Sequence, residues 1–201
     1  MSVATAYRHL HSDAVRLLAG WTPPDARQER LRADYLTHLG AHPDGVAKAG
    51  PPAHLTASAL VFDSRLERVL LTHHGKARVW FQLGGHLEPE DASLYAAAQR
   101  EIREESGLAG VHVIPVIAQL DRHTLVGAFG HCREHLDVRF AAVVPAGSED
   151  AVSASAESID LRWWPLEALP EPTSAEVGAL AKACLAVLHA APSVSPEPSR
   201  T

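Results

Sequence analysis

The alternation of apolar and polar positions changes period once along the chain, near residue 50. Before that point the spacing is helical. In "DARQERLRADYLTHLG" the apolar residues Leu31, Tyr35, Leu36 and Leu39 recur every three or four positions. Asp25 stands where an N-cap belongs, and Gly40 where a helix would stop. "HPDGVAKAGPP" reads as a linker, because Pro and Gly interrupt any regular element. From His54 the runs become short and β-rich. "LTASALVFD" and "RVLLTHH", separated by "SRLE", predict a hairpin, and "VWFQL" predicts a third strand ending at two glycines. "VHVIPVIAQLDRH", "HLDVRFAAVVP" and "IDLRWWP" predict further strands, the last closed by Pro165. A helix is expected between the third and fourth strands, and another over "TSAEVGALAKACLAVLHA", capped by Thr173 or Ser174. Strands on both sides of one central helix imply a mixed sheet sandwiched between helices, of α/β (α+β) class. The expected organisation is a helical N-terminal extension and linker (1–50), a main domain (51–190) and a Pro- and Ser-rich tail (191–201) too polar to order.

Composition narrows the function classes. Of the 201 residues 46% are hydrophobic and 21% charged, as in ordinary globular chains. The net charge of -6 disfavours a nucleic-acid binder or a membrane-surface protein, which would carry a basic patch. No run approaches the roughly 18 apolar residues of a membrane span, and the N-terminus lacks a signal-peptide core, so a cytoplasmic protein is expected. Cys132 and Cys184 form no spacing motif and read as buried thiols in a reducing compartment.

One stretch conflicts with local helix energetics. "REIREESGL" puts Glu101, Glu104 and Glu105 within about 100° of one helix face. Like charges at these spacings repel by a few tenths of a kcal/mol per pair. Gly107 marks the helix end, where the macrodipole disfavours each anion by roughly 0.3–1 kcal/mol. A divalent cation would convert the repulsion into coordination, since hard oxygen ligands suit Mg²⁺ or Mn²⁺. The competing reading is a solvated acidic face paired with Arg100 and Arg103.

With the double glycine ahead of it, this stretch resembles the signature of the Nudix hydrolase family, G-x5-E-x7-R-E-U-x-E-E-x-G-U, where U is a bulky aliphatic. Gly85 takes the first glycine, Arg100-Glu101-Ile102 the R-E-U, Glu104-Glu105 the paired acids and Gly107-Leu108 the end. From Arg100 to Leu108 the match is complete. The interval from Gly85 to Arg100 is one residue longer than the pattern, so the first acid falls on Asp91 or Glu90. Asp91 is preferred, because it could also cap a helix starting at Ala92 or Ser93.

The resemblance implies a Nudix fold and metal-dependent cleavage of the diphosphate bond of a nucleoside diphosphate linked to a further moiety X. Its cofactor would be Mg²⁺ or Mn²⁺, and its partner a small nucleotide or nucleotide conjugate, with neither nucleic acid nor membrane involved. Glu101, Glu104 and Glu105 are then the expected metal ligands, with the carbonyl of Gly84 or Gly85 as a further one. Arg100 is expected to orient a box carboxylate. For the general base, Glu157, Glu105 and Glu101 stay open. His86 follows the glycines closely enough to touch phosphate or metal, Lys76 could meet a substrate phosphate, and Asp137 shares a strand face with His135 as a candidate substrate contact. In "HCREHLD" no Cys or His stands at zinc-like spacing, so a structural zinc site is not expected there. Of Trp163 and Trp164, one should be core and the other could stack on a base. A catalytically silent nucleotide-binding domain of the same fold is the alternative, and an isomerase of prenyl diphosphates a third. Both should have degraded the acidic box, which is intact here. The N-terminal arm offers a surface for a homodimer.

Overall fold

The computed structural model describes residues 2–75, 77–125, 130–155 and 158–190. Two short helical segments lead the chain, α1 (Val3–Ala6) and α2 (Arg8–Gly20), followed by α3 (Ala26–Ala41). Asp25 caps α3, its carboxylate accepting from the amide of Gln28 at 2.8 Å. The helix runs one residue past Gly40, because nothing in the backbone at that glycine forces the stop.

The hairpin forms as the alternation predicts, from β1 (Ala53–Phe62) and β2 (Arg68–His74), paired antiparallel through Val61–Leu70 and Phe62–Val69. "VWFQL" does not make one strand. It divides into β3 (Trp80–Phe81) on β2 and β4 (Leu83–His86) on the first half of β1. Gln82 is the pivot: its buried amide donates to Ser58 and Asp137, both at 3.3 Å, an inward use that period-2 reading cannot foresee.

The central helix is α4 (Leu94–Ser106), and β5 (His112–Thr124), β6 (Glu134–Val143), β7 (Ser158–Pro165) and α5 (Val177–Ala190) complete the chain. α5 begins later than its sequence pattern suggests. Backbone hydrogen bonds from Trp80 to Pro172 and from Ser174 to Trp80 hold that segment as an extended edge beside β3, so it cannot enter the helix.

The seven strands form one mixed sheet with the path β3-β2-β1-β6-β5, β4 pairing with β1 and β7 with β2. β1 and β6 run parallel in register from Ala53–Glu134 to Phe62–Val143. Side chains of β1 therefore alternate between two layers. Leu55, Ala57, Ala59 and Val61 join Leu94, Ala97, Ala98 and Ile102 of α4 in one core. Leu10, Ala14 and Leu18 of α2, with Tyr35 and Leu39 of α3, belong to that same core and are at most 1% exposed. On the opposite face Leu60 and Phe62 pack with Val177, Leu180, Ala181 and Cys184 of α5.

That second face is apolar only over half its length. Beyond α5 it carries His54, Thr56, Ser58, Gln119, Asp121, His135, Asp137 and Arg139. Arg139 bonds Gln119, Asp121 and Asp137 at 2.8–2.9 Å while only 4% exposed. Burial opposes its charge, but Asp137 and Asp121 outweigh that and raise its pKa. Both tryptophans of β7 are structural: Trp163 packs on the first core and donates to the carbonyl of Glu149, and Trp164 meets Trp80 edge to face. Among the described residues no helix is long and apolar enough to cross a membrane.

Candidate active site

The acidic box assembles where the C-terminal half of α4 crosses β4. Ser93 starts that helix, its hydroxyl accepting from the amide of Ala96, and Gly107 ends it in the left-handed conformation at φ 69°. Asp91, expected as the cap, is used otherwise. Its two carboxylate oxygens take the Nε and Nη2 of Arg100, each at 3.0 Å, and one of them also accepts from the amide of Glu88. A carboxylate held in a two-point Arg pair is not available to the helix N-terminus, and Ser93 takes over. The same pair shows which acid partners Arg100: it is Asp91, while Glu90 stands exposed.

Arg100 is the hub of the site. Besides Asp91 it reaches Oε1 of Glu101 and Oε2 of Glu104, each at 3.0 Å, and donates to the carbonyl of His86 at 2.8 Å. Burial works against the guanidinium, but the hydrogen bonds to Asp91 and the charge of Glu101 outweigh it and raise its pKa. One cation thus ties the loop before α4, two box acids and the end of β4 into a unit.

The glycines let β4 approach this unit. Gly84 adopts φ 155°, and a Cβ there would lie 2.5 Å from the Cα of Ser58 on β1. A Cβ on Gly85 would lie 2.6 Å from Oε1 of Glu101, so the backbone and the carboxylate fill one space. The amide of Gly84 donates to Oε2 of Glu105 at 3.2 Å. Glu101 is 14% exposed, and its pKa is raised because burial outweighs the pull of Arg100. A half-desolvated carboxylate, with Glu104 and Glu105 beside it on one helix turn and a backbone pressed against it, is a donor set that a hard divalent cation fits.

The N-terminal helices hold this region from behind. Asp13 of α2 accepts from the amide of Leu94 at 2.9 Å, adding a carboxylate at the start of α4. Tyr7 donates to the carbonyl of Leu87, and the ring of His9 bonds the carbonyl of Asp91 at 2.7 Å. Sequence reasoning assigned no chemistry to these residues. Helical periodicity carries no sign of which loop a helix supports.

Other expected site residues fall elsewhere. Lys76 and Glu157 lie outside the described residues, as does the tail 191–201. Asp137 is 3% exposed, and its oxygens accept from Thr56, Ser58, Gln82 and Arg139. His86 turns its ring away from the carboxylates toward His54, His135 and Cys132. Burial pushes the imidazole of His86 down to about 3 and that of His135 to about 4.

Three carboxylates on one helix turn, an Arg locking them and a glycine strand against them make up the site of a hydrolase acting on diphosphate bonds. The chain belongs to the NUDIX family: residues 52–183 match the profile of the NUDIX domain. No curated protein matches it in sequence. Solved structures share its fold. An Ap4A hydrolase binary complex from C. elegans is 20% identical, with a TM-score of 0.53 over 67% of this chain and 97% of that one. The MutT protein from Methanosarcina mazei Go1 is 22% identical, with a TM-score of 0.53 over 69% of this chain and 96% of that one.

Proposed function

We propose that this chain is a metal-dependent pyrophosphohydrolase that cleaves the diphosphate bond of a nucleoside diphosphate linked to a further moiety X, using Mg²⁺ or Mn²⁺. The observation that carries the reading is the contact between Gly85 and Glu101 inside the Arg100 hub, because a side chain at position 85 would fill the space beside the buried carboxylate. Glu101, Glu104, Glu105 and the Gly85 carbonyl hold the cation. A bound divalent ion neutralises phosphate oxygens and lowers the pKa of a coordinated water.

The chain's own residues do the rest. Arg100 keeps Glu101 and Glu104 aimed, and Asp91 keeps Arg100 from turning toward solvent. The Gly84 amide orients Glu105, which leaves that acid, with Glu101 and Glu157, as the groups able to take a proton from the attacking water. Leu87 and Leu94, fully buried or nearly so, anchor both ends of the loop that carries Asp91. Small nucleotides and their conjugates are the partners this reading requires.

The test is product release from a panel of nucleoside diphosphate conjugates with Mg²⁺ and then Mn²⁺, beside the Glu104→Gln, Glu105→Gln double variant. Metal-dependent turnover that the double variant lacks supports the reading. Nucleotide binding without turnover, equal in both proteins, refutes it and favours a silent binding domain.

A further inference from the structure

A second set of donors lies one residue beyond the acidic box. His54 of β1, His86 at the end of β4, His135 of β6 and Cys132 just before β6 bring their ligand atoms within 4.8 Å of one another. The sheet brings them there: His54 stands opposite His135 in the parallel β1–β6 register, and His86 pairs with Thr56 on the other edge of β1. The imidazole centroids of His54, His86 and His135 are 5.0–5.4 Å apart. Cys132 Sγ lies 3.8 Å from Nε2 of His86.

The hydrogen bonding of these groups is incomplete in a specific way. Nε2 of His54 and Nε2 of His135 are buried without a hydrogen-bond partner. His54 is fully buried, and its other ring nitrogen, Nδ1, lies 3.0 Å from the carbonyl of Pro51. A carbonyl can only accept, so Nδ1 carries the proton and Nε2 is left with a bare lone pair pointing into the cluster. A ring nitrogen fixed by a backbone carbonyl, with the other free to bind, is the usual arrangement of a metal-ligating histidine. Buried polar atoms rarely go unpaired, and here two of them converge beside a thiol.

We propose that His54, His86, Cys132 and His135 bind one zinc ion in a closed, structural site distinct from the carboxylate site. A tetrahedral zinc with bonds of about 2.0–2.1 Å to nitrogen and about 2.3 Å to sulfur sets its ligand atoms about 3.3–3.6 Å apart, a small contraction of the cluster. Three imidazoles and a thiolate suit a borderline-soft ion, whereas Mg²⁺ prefers the oxygens of Glu101, Glu104 and Glu105. The two sites thus sort two classes of cation. Four protein ligands leave no open position, which makes the ion a cross-link. It ties β4, β1, β6 and the turn at Cys132 together, next to the His86 carbonyl that receives Arg100. Because the ligands come from residues 54, 86, 132 and 135, no short spacing motif announces them.

The experiment uses the full chain without a histidine tag, stripped by a chelator and titrated with Zn²⁺ or Co²⁺. One equivalent of zinc per chain should bind and raise Tm, and the cobalt form should show tetrahedral visible bands with a thiolate charge-transfer band. Cys132→Ser should lose the charge-transfer band, and His135→Gln should weaken zinc by more than the roughly 10–100-fold that loss of an outer partner costs. Glu104→Gln should leave the cobalt spectrum unchanged. No stoichiometric zinc in the wild type, a cobalt spectrum indifferent to Cys132→Ser, or one abolished by Glu104→Gln would each overturn the proposal. Should a variant fail to fold, the wild-type stoichiometry and thiolate band decide alone.

Discussion

Replacing Gly85 by alanine should inactivate the enzyme without unfolding it. The added Cβ would meet three atoms of the Glu101 carboxylate, at 2.6, 2.7 and 2.9 Å, and nothing nearer. Ordinary contact begins near 3.4 Å, so the carboxylate must retreat by about 0.8 Å. The retreat pulls Oε1 away from Nη1 of Arg100, now at 3.0 Å, and displaces the acid from the position where a cation would sit. A misplacement near 1 Å costs on the order of 10²-fold in rate, or about 2.7 kcal/mol of activation free energy. Stability should hold or rise slightly, since the backbone at Gly85 is outside the left-handed region and Gly→Ala at a compatible site gains about 0.4–1 kcal/mol. Steady-state kinetics with Mg²⁺, read beside a thermal melt, separates the two effects. Gly84→Ala is the contrast: its Cβ would strike the Ser58 backbone at a φ of 155°, so Tm itself should fall. A Gly85→Ala enzyme with kcat within about threefold of wild type would refute the packing argument, because a carboxylate that tolerates a shift near 1 Å is no tightly placed ligand.

Arg139→Ala removes the cation that bonds two buried carboxylates, and should destabilise the fold by about 3–5 kcal/mol, measured by denaturant unfolding. A loss under about 1 kcal/mol would mean that water already solvates Asp121 and Asp137. Asp121 also predicts an acid limb of stability. Burial raises its pKa, but His123 and Arg139 outweigh burial and hold it below the ordinary value. A depressed folded pKa contributes stability above the unfolded value of about 3.9, and that contribution is lost as pH falls through the folded one. Melts of wild type and Asp121→Asn should therefore converge as pH drops below about 4, and parallel curves would contradict this assignment.

How much of this was legible beforehand depends on the range of each interaction. The helix caps at Asp25 and Gly107, the β1–β2 hairpin and the strand-helix order follow from periodicity, which is local. The box from Arg100 to Leu108 is local too, and its three acids need only the helix repeat to share a face. What escaped needed a second segment to be interpretable. Asp91 reads as a helix cap until Arg100 arrives beside it from nine residues on. Gln82 reads as a strand residue until Ser58 and Asp137 appear at its amide. Asp137 reads as an exposed substrate contact until the parallel β1 strand brings Thr56 and Ser58 to its oxygens. The fourfold His and Cys cluster is the extreme case, because its members come together only through the pairing of three strands.

The central claim is that Glu101, Glu104 and Glu105 crowd one helix end to hold a divalent cation on a diphosphate. Initial rates on a nucleoside diphosphate conjugate should be measured against Mg²⁺ concentration for the wild type and for Glu104→Gln, Glu105→Gln. The account predicts no turnover without metal, saturable turnover with it, and loss of turnover in the double variant at every Mg²⁺ concentration. Equal metal-dependent rates in the two proteins would contradict it.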